Sequence, residues 1–486
     1  MHAPPRDALG VKSKNHRRGS ARGQSIPRSL QVVLNSFSDC FSRPSFGNFA
    51  HLVTGWLLCR GRRWITSVFS AGGSRKRGHH SRYYRFFSSA RWDPDHLGSV
   101  LFKLLLPYLS ERIEAAVDDT LCRRGGPRIF GVSMHHDGAA SSYRRGASGP
   151  LSALACGHSW VILAVRVPLP WGGRGLSVPI LVRLYRSPKR CSDREYRKRT
   201  ELAHSLLVIL AKWLPEGRTL HLTGDREYAC KTLLRDLDRE IQFTGPMPMD
   251  AMLFGPTPKY RGIGRPRTRG KRLPSPKARA RSSKGWTRVE LELYGRSTEL
   301  FVKTWTCLWY TATGQRLVRV VLTRDPKGNY ADRAFFSTEH DLDSRGVLDS
   351  YARRWLIEVS FRDAKQYLGL NDPQNGWSRG RRSKPVPGPR PRGSRGRKAA
   401  ERTAPFAWAI YGIVVVWYLG ENRWRRDVAQ RTKECPWYRS KQTPSFQDML
   451  AALRIELLAH RLLARPLRTG TLTETRGTLR ALGIAV

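Results

Sequence analysis

Negative charge is what this sequence most lacks. Its 486 residues carry 38 Asp and Glu against 87 Lys and Arg, a net charge of +49. A chain so lopsided makes a polyanion the natural partner, because basic side chains release condensed counterions from nucleic acid. An Arg-favouring genome also contributes, since Arg outnumbers Lys. Paired cysteines are missing as well. The eight cysteines, Cys40 to Cys435, include no CxxC, which excludes a zinc ribbon or a secreted disulfide scaffold and fits a reducing cytoplasm. The opening "MHAPPRDALGVKSKNHRRGS" has no apolar segment of a secretory signal. No apolar run reaches the roughly 20 residues of a membrane span; the longest, "FAWAIYGIVVVWYLG" at 406–420, reads as a buried helix. No internal repeat is visible.

What is present is core material: 40% apolar residues, 10% aromatics and 15 Trp. Residues 1–28 read as a disordered basic tail and 29–111 as a helical, DNA-binding region with the basic loop "AGGSRKRGHHSRYYRFF". From 112 the periodicity changes. "RIEAAVDDT" reads as a strand ending in carboxylates, followed by strands at 158–170 and 177–187, an apolar helix at 200–217 and the strand "RTLHLTGDREY". "LLRDLDR" reads as a short helix and "EIQFTG" as a strand. The expectation is a mixed α/β sheet over 112–254. A basic loop and β-rich stretch fill 255–345, a helix occupies 346–376, a basic Pro/Arg linker 377–402, and a helical region 403–486.

Within the helix "YARRWLIEVSFRDAKQYLGL" (351–370), Tyr351, Arg354, Glu358 and Lys365 fall on an arc of roughly 60° at about 100° per residue. Ile357, Phe361, Ala364 and Leu368 form the apolar arc a core requires. Packing leaves the polar stripe unexplained, and an i,i+4 pair accounts only for Arg354 and Glu358. Asp119 in "VDDT" and Asp225 in "TGDREY" stand at apparent strand ends, where Asp more often caps a helix or serves a turn. Together with Glu358 they form a set of hard oxygen donors suited to two Mg²⁺ ions that stabilise an in-line displacement at phosphorus.

Tyr351-x2-Arg354-x3-Glu358-x6-Lys365 resembles the YREK signature of DDE transposases of bacterial insertion sequences, the insertion-sequence-four-like group. "DDT" and "TGDREY" are similar to that family's first- and second-Asp motifs, and the resemblance runs from about residue 36 to about 420. It implies an RNase H-like fold interrupted by a β-rich insertion, with Asp119, rather than Asp118, and Asp225 and Glu358 as ligands of Mg²⁺ (or Mn²⁺). Tyr351, Arg354 and Lys365 are implied to hold DNA phosphate, Trp355 to contact the DNA end, and Trp305 and Trp309 to stack a flipped base on a hairpin route. "GRPR" supplies Arg265 and Arg267 for phosphate or minor-groove contact. Arg226 and Glu227 stand beside Asp225 as possible supports, or as a polar helix start. His135, His136, Cys156 and His158 fit no standard zinc spacing. The expected protein is a cytoplasmic, nucleoid-associated transposase. Its partners are double-stranded DNA, as transposon ends and target, and its own copies in a homodimer or synaptic complex; no membrane is involved. The rivals are an inactive or domesticated DNA-binding copy and another RNase H-like nuclease.

Overall fold

Strand β1 (Arg112–Arg123) lies at the centre of the molecule, with the side chains of both faces largely covered, as its run of apolar residues requires. It belongs to a computed structural model that describes residues 26–73, 78–124, 129–137, 154–260, 262, 265–293, 296–372 and 393–463. β2 (Ser133–His136) and β4 (Leu176–Tyr185) both pair with β3 (Leu154–Val167), which runs antiparallel to β1. β5 (Thr219–Gly224) and β6 (Ile241–Met247) continue the sheet in parallel on the other side of β1. The resulting order β4-β3-β1-β5-β6, three antiparallel strands joined to two parallel ones, is the expected RNase H-like core.

The β-rich stretch is continuous with this core. β7 (Leu253–Phe254) and β8 (Arg272–Leu273) form a short hairpin, and β9 (Thr287–Leu293), β10 (Arg296–Leu308) and β11 (Leu317–Arg324) pair in sequence. β12 (Arg333–Ser337), which the sequence reading did not predict, pairs with both β11 and β6. It joins the two regions into one sheet of twelve strands among the described residues.

Helices α1 (Arg28–Asn35), α2 (Arg43–Leu58), α3 (Ile65–Ala71), α4 (Ser81–Ser88) and α5 (Pro94–Leu105) precede the sheet. Later helices are α6 (Arg199–Ala211), α7 (Ser344–Arg353), α8 (Trp355–Tyr367), α9 (Gly393–Glu421), α10 (Trp424–Glu434) and α11 (Phe446–Leu463). The N- and C-terminal helices share one hydrophobic core with the sheet. Phe406 of α9 sits edge-on to Phe49, Trp56, Phe86 and Phe87, at ring separations of 5.2–6.0 Å.

One expectation changes here. The linker predicted over 377–402 ends sooner, because α9 begins at Gly393, where "RKAAERT" carries good helix formers. Buried Arg402 donates to the carbonyls of Ala90 (2.8 Å) and Trp92 (2.5 Å). Its remaining stretch, 377–392, lies outside the described residues, as does the tail at 1–25. With its polar first turns, α9 is long and apolar enough to cross a membrane. Its apolar window is nonetheless almost wholly buried by protein, as in a core helix.

Candidate active site

A strand alternates its side chains between faces, so Glu114, Ala116, Asp118 and Cys122 of β1 share one face while Asp119 belongs to the other. Contacts follow that division. On the even face, Arg353 Nη1 donates to Glu114 Oε1 at 2.6 Å and Arg354 Nη1 to Asp118 Oδ2 at 2.5 Å. Farther along, the positive charge of Lys365 acts on the Cys122 thiol. α8 therefore runs beside β1, with its residue numbers rising in the same direction. Its end is held by the N-terminal helices: Trp56 Nε1 donates to the Leu368 carbonyl at 2.8 Å, and Arg63 donates to that of Tyr367.

The expected single helix over 351–370 is broken. α7 stops at Arg353 and α8 starts at Trp355, leaving Arg354 at the joint with helical backbone angles. Tyr351 packs against Phe335 of a small apolar cluster, its ring 4.9 Å away, and the Arg354 guanidinium lies 5.6 Å from the centre of the same ring. Arg354 links two carboxylates, donating through Nη1 to Asp118 and through Nη2 to Glu358 Oε1 at 2.6 Å. Its buried Nε has no hydrogen-bond partner among the described residues. Burial alone would lower the Arg354 guanidinium, but Asp118, Tyr351 and Glu358 hold it above its ordinary value. Burial pushes the Asp118 carboxyl up to about 7 against the pull of Arg354, and the charges of Asp225 and Asp119 push the same way.

Asp225 follows β5 directly. Gly224 pairs with Val117, so Asp225 emerges beside Asp118. Its Oδ1 accepts from the backbone N–H groups of Glu227 (2.9 Å) and Tyr228 (3.4 Å), a side-chain turn that fixes the carboxylate. Gly224 is required for the close approach: a Cβ there would lie 2.9 Å from Tyr228 Cβ.

Asp119 faces the opposite way from Asp118, toward Ser159, Arg199 and Tyr228. The reason is strand parity: β1 continues to Arg123, so the Asp pair lies within the strand and its two members point apart. Asp119 Oδ1 receives Tyr228 Oη and its Oδ2 receives Ser159 Oγ, both at 3.4 Å, with Arg199 Nε also 3.4 Å away. Burial raises the Asp119 carboxyl, Arg199 opposes this, and the charge of Asp225 adds to it. Glu227 faces the same Arg199 at 3.7 Å.

The other predicted contacts divide. Trp355 (46% exposed) stands on the surface beside Arg354, and Lys365 is half-buried. Arg265 and Arg267 lie exposed on the basic loop; Gly264 of the same motif is outside the described residues. Trp309 is a core residue, edge-on to Phe336 at 5.0 Å, and the guanidinium of Arg279 lies 4.5 Å from the ring of half-buried Trp305. Both are held by packing in the sheet rather than presented as base platforms. His135 bonds Ser133, and His158 donates to the Phe130 carbonyl.

Among the described residues, no three His, Cys, Asp or Glu side chains lie close enough to hold a metal as they stand. Asp118 and Glu358 have the Arg354 guanidinium between them. The donor chemistry nonetheless suits a hard divalent cation: Asp118, Asp119 and Asp225 lie close together, and burial, with the charge of Asp225 adding to it, raises the carboxyls of Asp118 and Asp119.

An RNase H-like sheet with acids on its central strand, at the end of the neighbouring parallel strand and on an adjoining helix defines a metal-dependent polynucleotidyl nuclease class. Residues 36–315, more than half the chain, match the model of the DDE superfamily endonuclease family, and the chain belongs to that family. The match contains Asp118, Asp119 and Asp225 and stops before Glu358. Endonucleases of this family act on DNA and generally use divalent metals. No curated protein matches the chain.

Proposed function

We propose that this chain is the transposase of a bacterial insertion sequence of the YREK-signature group. It binds the terminal inverted repeats of its own element and cleaves and joins DNA strands as a homodimer or larger synaptic complex. The observation that carries this reading is the bridge from Asp118 through Arg354 to Glu358, which brings two signature residues onto the nuclease carboxylates.

In this reading Asp119, Asp225 and Glu358 would hold Mg²⁺, with Mn²⁺ able to replace it, and Asp118 anchors Arg354 beside them. The bound metal supplies Lewis-acid stabilisation of the attacking and leaving oxygens at phosphorus. Lys365 and Arg354 hold phosphates of the DNA end, Arg354 by its two-pronged donor geometry, and exposed Trp355 packs against the end. Arg265, Arg267 and the rest of the basic loop contact backbone phosphate without reading bases. A water and then a DNA 3′-hydroxyl serve as nucleophiles, so no covalent protein–DNA link forms. The packing of Trp305 and Trp309 gives a base-stacking role no support, and the proposal stops short of a hairpin step.

Glu358→Gln should abolish cleavage of a duplex carrying the element's inverted repeat while leaving its binding in a gel-shift assay within a few-fold. Undiminished cleavage by that variant would sink the assignment. Cleavage of RNA–DNA hybrids or four-way junctions, with none at the repeats, would replace it with another RNase H-like nuclease.

A further inference from the structure

Trp437 is the most exposed large apolar side chain among the described residues, at 75%. A lone apolar side chain at the surface needs no explanation; the setting of this one does. It stands on the short turn Pro436–Tyr438 between α10 and α11, with the ring of Tyr438 6.2 Å away. The turn is held in place. Cys435 before it is buried, the Tyr438 N–H donates to the Cys435 carbonyl and the Lys441 N–H to the Tyr438 carbonyl, each at 2.9 Å. Lys441 Nζ reaches Asp448 of α11 at 2.6 Å, and Lys441 and Arg431 flank the Tyr438 ring at 5.0 and 5.7 Å. Residues 424–441 carry six Lys and Arg against two Asp and Glu, and Arg425, Arg426, Lys433 and Arg439 are exposed.

The turn also adjoins the signature helix. Burial raises the hydroxyl of Tyr367, the last residue of α8, and the charges of Tyr438 and Asp448 are among those that add to it. The same hydroxyl donates to Gln447 of α11 at 3.1 Å. Glu358 lies back along that helix, roughly 14 Å away at 1.5 Å per residue.

We propose that Trp437 and Tyr438 form a stacking platform for an unpaired base, with the exposed cations around them holding phosphates of the same strand, so that this turn is a binding site for single-stranded DNA. Aromatic rings set among cations hold single strands because every base has a π-face and every nucleotide a phosphate. Inside a duplex both faces of a base are covered by its neighbours, so the ring gains nothing from paired DNA and only the cations act on it. A second copy of the chain fits this surface poorly, because a two-fold contact sets a patch against itself and here would oppose like charges. The platform stands apart from the carboxylates, so it holds a strand whether or not they carry metal.

The test is binding of a fluorescently labelled oligothymidylate, whose bases are unpaired, to the full chain by anisotropy in the absence of divalent metal. A relaxed closed-circular duplex, which offers phosphates but no open base face, serves as competitor. Trp437→Ala should weaken oligothymidylate binding roughly 5–10-fold, toward the lower end of what stacking one base on an aromatic ring contributes. Duplex affinity should stay within about twofold, since phosphate contacts are kept. Trp437→Phe, which keeps a ring, should remain close to the unaltered protein. No loss in Trp437→Ala, an equal loss for both DNAs, or a Phe variant as weak as the Ala variant would each overturn the platform. So would light scattering without DNA showing that Trp437→Ala alone splits an assembly into monomers, because the ring would then cover a second copy. No cleavage enters these measurements, so their failure leaves the assignment of the acids untouched.

Discussion

Removal of the Glu114 carboxylate should loosen the catalytic end of the molecule from a distance. Glu114 lies on the same face of β1 as Asp118, one helical joint away from Arg354. Its Oε1 accepts from Arg353 at 2.6 Å and its Oε2 from Arg166 at 2.5 Å, with Arg112 at 3.8 Å. Burial alone would raise this carboxyl, but the three arginines hold it below its ordinary value. Each hydrogen bond to a charged group contributes about 1.5–3 kcal/mol. Arg353 is 32% exposed and regains water once released, whereas Arg166, at 19%, regains less. After that discount Glu114→Ala should cost roughly 2–4 kcal/mol. The loss should concentrate at the start of the signature helix, since Glu114 is what anchors the last residue of α7 to the sheet. Urea denaturation gives the global part, and amide hydrogen exchange across residues 344–367 gives the local part. A midpoint shift worth under about 0.5 kcal/mol, the level of an ordinary surface change, with exchange in α7 and α8 unaltered, would refute the claim that this carboxylate positions the helix.

Two further outcomes follow from buried features. His158 is pushed down to about 4, chiefly by burial and then by the charge of Arg124, against an ordinary value of 6.5. The unfolded chain therefore takes up a proton that the folded chain refuses. The stability this residue contributes is fully present above about pH 6.5 and is lost as pH falls toward about 4, by roughly 3 kcal/mol. Urea midpoints measured between pH 7 and 4 should fall less steeply for His158→Gln than for the unaltered protein, and equal slopes would contradict the argument. Gly224→Ala would place a Cβ 2.9 Å from Tyr228 Cβ and 3.2 Å from both Phe243 Cζ and Val117 Cγ1. It should destabilise by about 1–3 kcal/mol and shift the turn that fixes Asp225. Gly47→Ala, in a helix with nothing within 4 Å, should instead stabilise slightly, so thermal midpoints moving in the same direction for both would count against the contact.

The strands flanking β1 were legible because each carries an unbroken β-branched or apolar run ended by Pro, Gly or charge: "HSWVILAVRVPLP" became β3 and "RTLHLTG" became β5. β12 was not legible. "RAFFS" is five residues long and gains its identity only by filling the gap between β6 and β11, a fact of tertiary pairing. The acids of the site were visible by type and spacing, but the end of β1 was not. Placing that end at the carboxylates, rather than at Arg123, hid the alternation that sends the two side chains apart. The signature helix is divided at Arg354, but helical backbone angles there keep Tyr351 beside it. Trp305 and Trp309 read as exposed platforms only if the β-rich stretch is a separate unit. Inside a continuous sheet their large apolar area is spent on packing.

That continuity has a consequence for how such a protein can be cut, shortened or re-engineered. β12 covers the edge of β6, which in turn flanks the strand that delivers Asp225. Excising the β-rich stretch as though it were a cassette would strip β6 of its partner and leave a row of unpaired N–H and C=O groups two strands from the active site, an open template for other chains. The stretch is thus the lid on a sheet edge, and the nuclease core is closed only while it remains attached.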